Sequence, residues 1–218
     1  MTRKRTPETD QGIQGEFTVA IYDRLQRHLR DKGWIETEDI LRSGIVAGHA
    51  LEVGPGPGYL GLEWLSRTEG TRLTGLDISP DMIALAEKNA AEYGLCERTR
   101  YVRSSGARMP FADDSFDAAF SNGSLHEWEE PLATFGELAR VVRPGGRVFV
   151  SDLRRDMAAP LRWMLWLGTK PRAIRPGLLT SVWAAYTPDE LRTLVAHSAL
   201  GGCNVGATWL GVHVAGMV

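Results

Sequence analysis

The sequence of 218 residues predicts an α/β fold, a doubly wound, mostly parallel sheet that ends in an antiparallel strand pair. Short apolar segments alternate with helical segments from residue 49 to residue 199, which is the pattern of parallel βαβ units. After residue 203, two apolar runs flank Leu210-Gly211 with no helical segment between them, so they should pair antiparallel. Five strands and this closing pair predict seven strands in all.

The N-terminal part of the chain divides at residue 15. Residues 1–15 are polar, and we expect a flexible segment. Residues 16–44 should form a helical cap, because Phe17, Ile21, Leu25 and Leu29 recur every four residues before Gly33. Residues 45–218 are expected to form the main domain.

The predicted strands cover residues 49–53, 72–77, 99–103, 117–121 and 147–151. The predicted helices cover 58–66, 80–93, 132–142, 160–167 and 187–199. Ser79 and Pro80 mark one helix start as N-cap and first helical residue. Residues 143–146, Arg-Pro-Gly-Gly, predict a turn, and Pro171 and Pro176 predict a loop before the last helix.

Composition favours a cytoplasmic protein without nucleic-acid or membrane partners. The net charge of −2 attracts neither partner, and no apolar run reaches the roughly 20 residues of a membrane span. Cys96 and Cys203 share no motif, as expected of reduced thiols. The basic block 140–175 is either a solvated face or the border of a pocket for an acidic substrate or a partner.

The bend after the first strand, Gly54-Pro55-Gly56-Pro57-Gly58, is poorly suited to a phosphate. A phosphate cradle needs successive backbone N–H groups, and proline has none. Glu52, just before the bend, would also repel a pyrophosphate. A carboxylate there favours a ligand with a positive ammonium or sulfonium group, and S-adenosylmethionine is the obvious candidate.

A second acid, Asp77, ends the second predicted strand. Ligands of open α/β sheets bind outside the carboxyl ends of the strands, where an acid can accept both ribose hydroxyls. The alternative is that Asp77 merely caps the following helix.

Four segments carry a resemblance to a known family: residues 51–58 (LEVGPGPG), 76–82 (LDISPDM), 109–117 (MPFADDSFD) and 138–146 (LARVVRPGG). On these segments the chain resembles the class I S-adenosylmethionine-dependent methyltransferases, most of all the small-molecule group that includes the ubiquinone/menaquinone-biosynthesis enzymes. The resemblance implies a Rossmann-like fold, S-adenosylmethionine as methyl donor, S-adenosylhomocysteine as product and a small-molecule acceptor.

By that resemblance, Glu52 and the glycine bend hold the methionine moiety, Asp77 takes the ribose, and Ile78 and Met82 flank the adenine. Ser105 stands where the family usually has an Asp that accepts from the adenine amino group, so weaker adenine anchoring or a backbone carbonyl in that role is expected. The predicted donor-binding residues are Glu52, Gly54, Gly56, Gly58, Asp77, Ile78, Met82, Ser105, Gly106 and Asn122.

The chemistry should lie after the fourth strand, where His126 is the candidate general base. The alternative is that His126 makes a structural hydrogen bond or one on the donor side. Glu127 is expected to be a solvated loop acid. The acceptor should be chosen by the N-terminal helix and by residues 152–186, a substrate-side insertion whose tryptophans alternatively pack a helix or form a homodimer contact. The candidate acceptor residues are Tyr22, His126, Arg154, Trp163 and Tyr186.

No metal is expected, because the five histidines show no ligand spacing. Three other functions remain open at this point. They are a regulator that binds S-adenosylmethionine without transferring methyl, an RNA or protein methyltransferase, and a nicotinamide-dependent oxidoreductase.

Overall fold

The computed structural model describes residues 3–8 and 14–218, with the backbone alone at Glu16 and Phe17. Residues 1, 2 and 9–13 lie outside the described part of the chain, so the segment predicted to be flexible is described only in part. Within residues 3–8 and 14–218, no helix is both long and apolar enough to cross a membrane.

Seven strands form one sheet in the described chain, with the order β3-β2-β1-β4-β5-β7-β6. β1 to β5 run parallel, and β7 pairs antiparallel with both β5 and β6. The predicted fold class is therefore confirmed. The strands are β1 His49–Val53, β2 Arg72–Asp77, β3 Thr99–Arg103, β4 Phe116–Asn122, β5 Val142–Leu153, β6 Asn204–Ala207 and β7 Gly211–Met217.

Helices connect most of the strands, and the N-cap predicted at Ser79 is present. Ser79 accepts a hydrogen bond from the N–H of Met82 at the start of α4. Thr187 and Glu190 form a capping box at the start of α8. The helices are α1 Glu16–Asp31, α2 Thr37–Arg42, α3 Tyr59–Ser66, α4 Pro80–Glu92, α5 Pro131–Val141, α6 Ala159–Gly168, α7 Arg175–Ala184 and α8 Pro188–Ala196.

Two predictions about local structure are wrong. The predicted loop through Pro176 is the helix α7, because a proline in the first helical turn lacks only an N–H that would have no partner there. The predicted turn at residues 143–146 lies inside β5, which already begins at Val142 opposite Phe116. The ladder shifts register between Phe116 and Ala118, so the turn-forming residues bend the strand without ending it.

The sheet is buried on both faces. On one face, Phe135 and Leu138 of α5 and Leu191 of α8 pack with Leu51 and Val150 of the sheet. On the other face, Ile40 of α2 and Leu60, Trp64 and Leu65 of α3 pack with Phe120 and Phe149. Adjacent residues of one strand therefore enter opposite cores, as in a doubly wound sheet.

Candidate functional site

An open cleft lies at the carboxyl ends of β1, β2, β3 and β4. The sheet order reverses between β1 and β4, and a crevice at such a switch point is where open α/β sheets bind ligands. The cleft is walled by segments that follow each of the four strands: residues 53, 54 and 56; residues 76–78; residues 104–107; and residues 123, 124, 127 and 128.

The glycine bend after β1 uses its backbone N–H groups internally. The N–H of Gly54 donates to the carbonyl of Leu76 over 2.8 Å, and the N–H of Gly58 donates to the carbonyl of Pro55 over 2.9 Å. The N–H of Gly56 donates to Asp77 Oδ2 over 3.1 Å. The bend therefore has no free N–H for a phosphate, which confirms the expectation drawn from its two prolines.

Gly54 is required by two constraints. Its φ is +70°, and a Cβ atom there would lie 2.7 Å from Cβ of Ser124. Ser124 is held in place because its hydroxyl contacts the hydroxyl of Ser121 at 2.7 Å, and the Ser121 hydroxyl donates to the carbonyl of Val53. A side chain at position 54 would push the end of β1 away from the loop after β4.

Glu52 lines a smaller cavity beside the main cleft. Its side chain is 2 % exposed, and within the described chain its Oε2 has no hydrogen-bond partner. Burial and the nearby charge of Asp77 raise the pKa of the Glu52 carboxyl to about 8, and a backbone hydrogen bond from Gly61 to this carboxyl only partly opposes the shift. Tyr22 and Gly54 line both cavities, so Glu52 lies just behind the wall of the main cleft. An orphaned buried carboxyl oxygen there suits a positively charged ligand group.

Asp77 lies on the cleft wall with both carboxylate oxygens bound by backbone. Oδ1 accepts from the N–H of Ser79 over 2.9 Å, and Oδ2 accepts from the N–H of Gly56. Burial raises the pKa of Asp77, and these backbone hydrogen bonds oppose the shift. A carboxylate can accept about four hydrogen bonds, so Asp77 keeps capacity to accept from ribose hydroxyls.

Most of the other predicted donor residues also reach the cleft. Ile78, Met82, Ser105 and Gly106 all line it. The hydroxyl of Ser105 accepts from the N–H of Ala107 over 3.2 Å, so it partly serves its own turn. Gly58 is the left-handed N-cap of α3, and Asn122 lines the smaller cavity with Glu52. Their roles toward a donor stay predictions.

His126 lies in a short 3₁₀ turn after β4 and is 5 % exposed. Its backbone N–H and its Nδ1 both contact Asp152 Oδ2, at 2.7 and 2.9 Å, so a β5 carboxylate fixes the ring. Burial alone would lower the pKa of His126, but the neighbouring carboxylates, Asp152 foremost, raise it well above its ordinary value. His126 does not line the cleft, so its role as a base stays a prediction.

Two more carboxylates face the other ring nitrogen of His126. Nε2 lies 3.4 Å from Glu8 Oε2 and 3.8 Å from Glu127 Oε1. Glu127, expected to be a solvated loop acid, lines the cleft, and burial raises its pKa to about 7. Glu8 was not a predicted site residue, because no motif connects it with the turn after β4. We name Glu8, His126 and Glu127 the histidine–glutamate cluster.

Glu8 is brought to this cluster by residues 3–8, which lie along α7. The N–H of Thr6 donates to the carbonyl of Trp183, and the carbonyl of Arg3 accepts from Arg155 Nε. The Arg5 guanidinium donates to the carbonyls of Ala184 and His126. Flexibility of residues 1–15 in solution stays a prediction.

The predicted acceptor residues separate into two groups. Tyr22 lines both cavities, and its hydroxyl accepts from Gln26 over 2.9 Å. Arg154, Trp163 and Tyr186 do not line the cleft. Arg154 instead forms a two-point ion pair with Asp156, Trp163 is 62 % exposed on α6, and Tyr186 packs under Arg5.

The basic block 140–175 does not form a free cationic face in the described chain. Arg140 pairs with Glu137, Arg143 with Asp117, and Arg155 with Glu190. Arg175 lies over the Trp166 ring and donates to the carbonyls of Thr169 and Leu167. Most of these positive charges are thus neutralised or held by neighbouring groups.

Comparison with known proteins identifies a methyltransferase domain. Residues 51–150 match the family model described as a methyltransferase domain. A demethylmenaquinone methyltransferase of Thermus thermophilus is 36% identical over 137 residues, which are 60% of this chain and 60% of that protein. A ubiquinone/menaquinone biosynthesis C-methyltransferase of Paracoccus denitrificans is 30% identical over 116 residues, 53% of this chain and 46% of that protein. The chain spans about half the length of several curated relatives that it matches.

Solved structures show the same fold at lower identity. A SAM-dependent methyltransferase from Aquifex aeolicus superposes with a TM-score of 0.65 at 21% identity, covering 84% of this chain and 90% of that one. A phosphoethanolamine N-methyltransferase from Haemonchus contortus, with S-adenosylhomocysteine bound, gives 0.67 at 16% identity, covering 90% and 45%. Residues 51–150 of this chain therefore match a methyltransferase domain, and its sheet order and fold are those of solved S-adenosylmethionine-dependent methyltransferases.

Proposed function

We propose that this protein transfers the methyl group of S-adenosylmethionine to a small-molecule acceptor by in-line displacement. The observation that carries the proposal is the pairing of a bend without free N–H groups and a buried, orphaned carboxyl oxygen on Glu52. That pairing suits a cationic nucleoside and disfavours a pyrophosphate. When bound, the donor supplies an electrophilic methyl group on its sulfonium centre.

The residues that would hold the donor follow from the cleft. Glu52 would pair with the ammonium group of the methionine moiety, and Asp77 would accept from the ribose hydroxyls. Ile78 and Met82 would cover the adenine with apolar surface, and Ser105 and Gly106 line the same cleft. Asn122, beside Glu52, would bind the methionine end.

A small acceptor fits better than a nucleic acid or a protein. The arginines of the basic block are mostly engaged in internal pairs, so a broad surface for RNA phosphates is missing from the described residues. Two relatives are named for quinone pathways, and two others are named O-methyltransferases. From these names we infer that small aromatic compounds and quinols are the first class of acceptor to test with this protein.

Alignment and water exclusion would contribute most to the reaction, because methyl transfer from a sulfonium needs an oriented nucleophile. Tyr22 on α1 and Glu127 in the turn after β4 both line the cleft and would flank the acceptor. His126, fixed by Asp152, would hold the loop that carries Glu127. These are positioning roles unless acceptor contact by His126 is demonstrated.

The test is product formation. Purified protein is incubated with S-adenosylmethionine and a panel of quinols, phenols, amines and thiols, and S-adenosylhomocysteine is measured. The proposal expects acceptor-dependent S-adenosylhomocysteine from at least one class and loss of it in Asp77→Ala. Donor binding without product across the whole panel would instead support a non-catalytic regulator. Product formed only with an RNA or protein acceptor would overturn the small-molecule assignment.

A further inference from the structure

The histidine–glutamate cluster places an imidazole nitrogen and two carboxylates around one point. The potential ligand atoms of Glu8, His126 and Glu127 all lie within 4.8 Å of one another. Ligands bonded to one ion at roughly 2.1 Å in a tetrahedron are about 3.4 Å apart. The separations from His126 Nε2, 3.4 Å to Glu8 and 3.8 Å to Glu127, are therefore close to those around a small divalent cation.

The proton of the His126 ring lies on Nδ1, so the binding partner of Nε2 must come from the side of the histidine–glutamate cluster. Its Nδ1 lies 3.0 and 2.9 Å from the two oxygens of Asp152, which can only accept, so Nδ1 carries the proton. Nε2 is fully buried and lacks a hydrogen-bond partner in the described structure. A buried imidazole nitrogen aimed at two carboxylates needs a positive charge between them, either a proton or a metal ion.

Charge favours the metal ion. Three carboxylates surround this imidazole, those of Glu8, Glu127 and Asp152. A proton on Nε2 would leave more of this negative charge uncompensated than a divalent ion would. The nearby guanidinium of Arg5 donates to backbone carbonyls of Ala184 and His126, so its contacts do not serve these carboxylates.

His126 also has the kind of hydrogen bond that metal-binding histidines usually make, since its Nδ1 contacts the carboxylate of Asp152. A ligating imidazole commonly donates its other N–H to a carboxylate, which fixes the ring and raises its basicity. Asp152 does this here, and it additionally accepts from the backbone N–H of His126 over 2.7 Å. The ring is thus oriented before any ion binds.

We propose that Glu8, His126 and Glu127 bind one divalent transition-metal ion, with Asp152 as the residue that orients His126. One nitrogen and two carboxylate oxygens suit an ion of the zinc or manganese type. Three protein ligands leave at least one position for water or an acceptor oxygen. No sequence motif indicates this site, because residues 3–8 bring Glu8 to the turn after β4 only in the folded chain.

The experiment uses the full chain, freed of metal with a chelator and without methyl donor or acceptor. Zn²⁺, Mn²⁺ and Mg²⁺ are each titrated by calorimetry, and metal content after dialysis is measured by atomic emission. We expect one saturable site for Zn²⁺ or Mn²⁺ and much weaker binding of Mg²⁺. Glu8→Gln and Glu127→Gln should each lower the affinity by at least about tenfold, and Asp152→Asn by roughly 10- to 100-fold.

Two controls separate this site from adventitious binding. Glu87→Gln removes an exposed carboxylate on α4, and His197→Asn removes an exposed imidazole at the end of α8. Both should bind the ion as the unaltered protein does. Circular dichroism establishes that each variant is folded, and Glu8→Gln, which alters a terminal segment, keeps the test valid if changes at His126 or Asp152 prevent folding.

The proposal is overturned if the folded protein binds neither Zn²⁺ nor Mn²⁺ saturably. It is also overturned if Glu8→Gln and Glu127→Gln bind as tightly as Glu87→Gln. Because the probe is the metal alone, these results do not depend on whether methyl transfer is found.

Discussion

The backbone N–H of Gly56 donates a hydrogen bond to Asp77 Oδ2 over 3.1 Å. This bond joins the bend after β1 to the acid that ends β2, and it removes an N–H group that a phosphate would otherwise use. The same carboxylate accepts from the N–H of Ser79 through its other oxygen. Asp77 therefore shapes the cleft as well as facing it, and its loss should affect both.

Asp77→Ala is expected to weaken donor binding by roughly 10- to 100-fold, because charge-assisted hydrogen bonds to the ribose and the anchor of Gly56 are lost together. Calorimetry with S-adenosylhomocysteine measures the change. Asp39→Ala, at an exposed surface ion pair on α2, is the matched control and should bind normally. Unchanged affinity in Asp77→Ala would mean that the ribose is held elsewhere.

Donor binding should be coupled to proton release from Glu52. Burial raises the pKa of its carboxyl from 4.5 to about 8, so the free protein carries a proton there at neutral pH. A cationic ligand favours the carboxylate, so affinity should rise with pH up to about 8. Calorimetry in buffers of different ionisation enthalpy should detect the released proton in the unaltered protein and not in Glu52→Gln. Equal proton release in both proteins would contradict the assignment.

Glu52 should also make stability depend on pH. A carboxyl whose pKa is higher in the folded state than in the unfolded state stabilises the fold at low pH, and this contribution is lost as pH rises from about 4.5 to about 8. Relative to the unaltered protein, the free energy of unfolding of Glu52→Gln should therefore rise by up to about 5 kcal/mol from acid to alkaline pH. Urea unfolding at both ends of that range measures it. Glu87→Gln should show no such change, and a parallel pH profile for Glu52→Gln would refute the prediction.

Gly54→Ala should destabilise the fold more than a glycine replacement whose only cost is backbone strain. Gly54 has a φ of +70° and no room beside Ser124, whereas Gly94 has a φ of +68° and nothing within 4 Å of an added Cβ atom. We expect Gly94→Ala to cost about 1 kcal/mol and Gly54→Ala about 1–3 kcal/mol more, with loss of donor affinity. Urea unfolding and calorimetry check both. Equal stability losses would show that the contact with Ser124 does not matter.

His126→Ala should destabilise the fold, because it leaves the buried carboxylate of Asp152 without its imidazole partner. Breaking a buried charged pair costs about 3 kcal/mol. His126→Asn keeps a donor near Asp152 and should recover part of that loss. If His126 is the general base, turnover falls more than donor affinity in both variants. Retained turnover at saturating acceptor would remove His126 from the chemistry.

The sheet and the donor side of the cleft could be read from the sequence because their signals are local. Alternating apolar segments indicate the strands. Ser79 and Thr187 cap helices by accepting from N–H groups three residues away. Pro55 and Pro57 lack an N–H in any fold. Glu52 near the end of β1 and Asp77 at the end of β2 lie close enough to interact electrostatically, because parallel strands end at one edge of the sheet.

The remaining features depend on contacts between residues far apart in the sequence. The sequence predicts a loop at Pro176, but this proline lies in the first turn of α7. Whether a proline begins a helix or ends one depends on how the segment that follows it packs. Arg154 was assigned to the acceptor from its charge alone, yet Asp156 pairs with it. Glu8 reaches His126 only because residues 3–8 lie along α7, a tertiary contact that no motif encodes.

Calorimetric titration of the folded, ligand-free protein with S-adenosylmethionine and, separately, with NAD tests the central claim most directly. A bend without free N–H groups beside a buried carboxyl group predicts saturable one-site binding of S-adenosylmethionine and binding of NAD at least about a hundredfold weaker. Saturable binding of NAD, with no heat from S-adenosylmethionine, would contradict it.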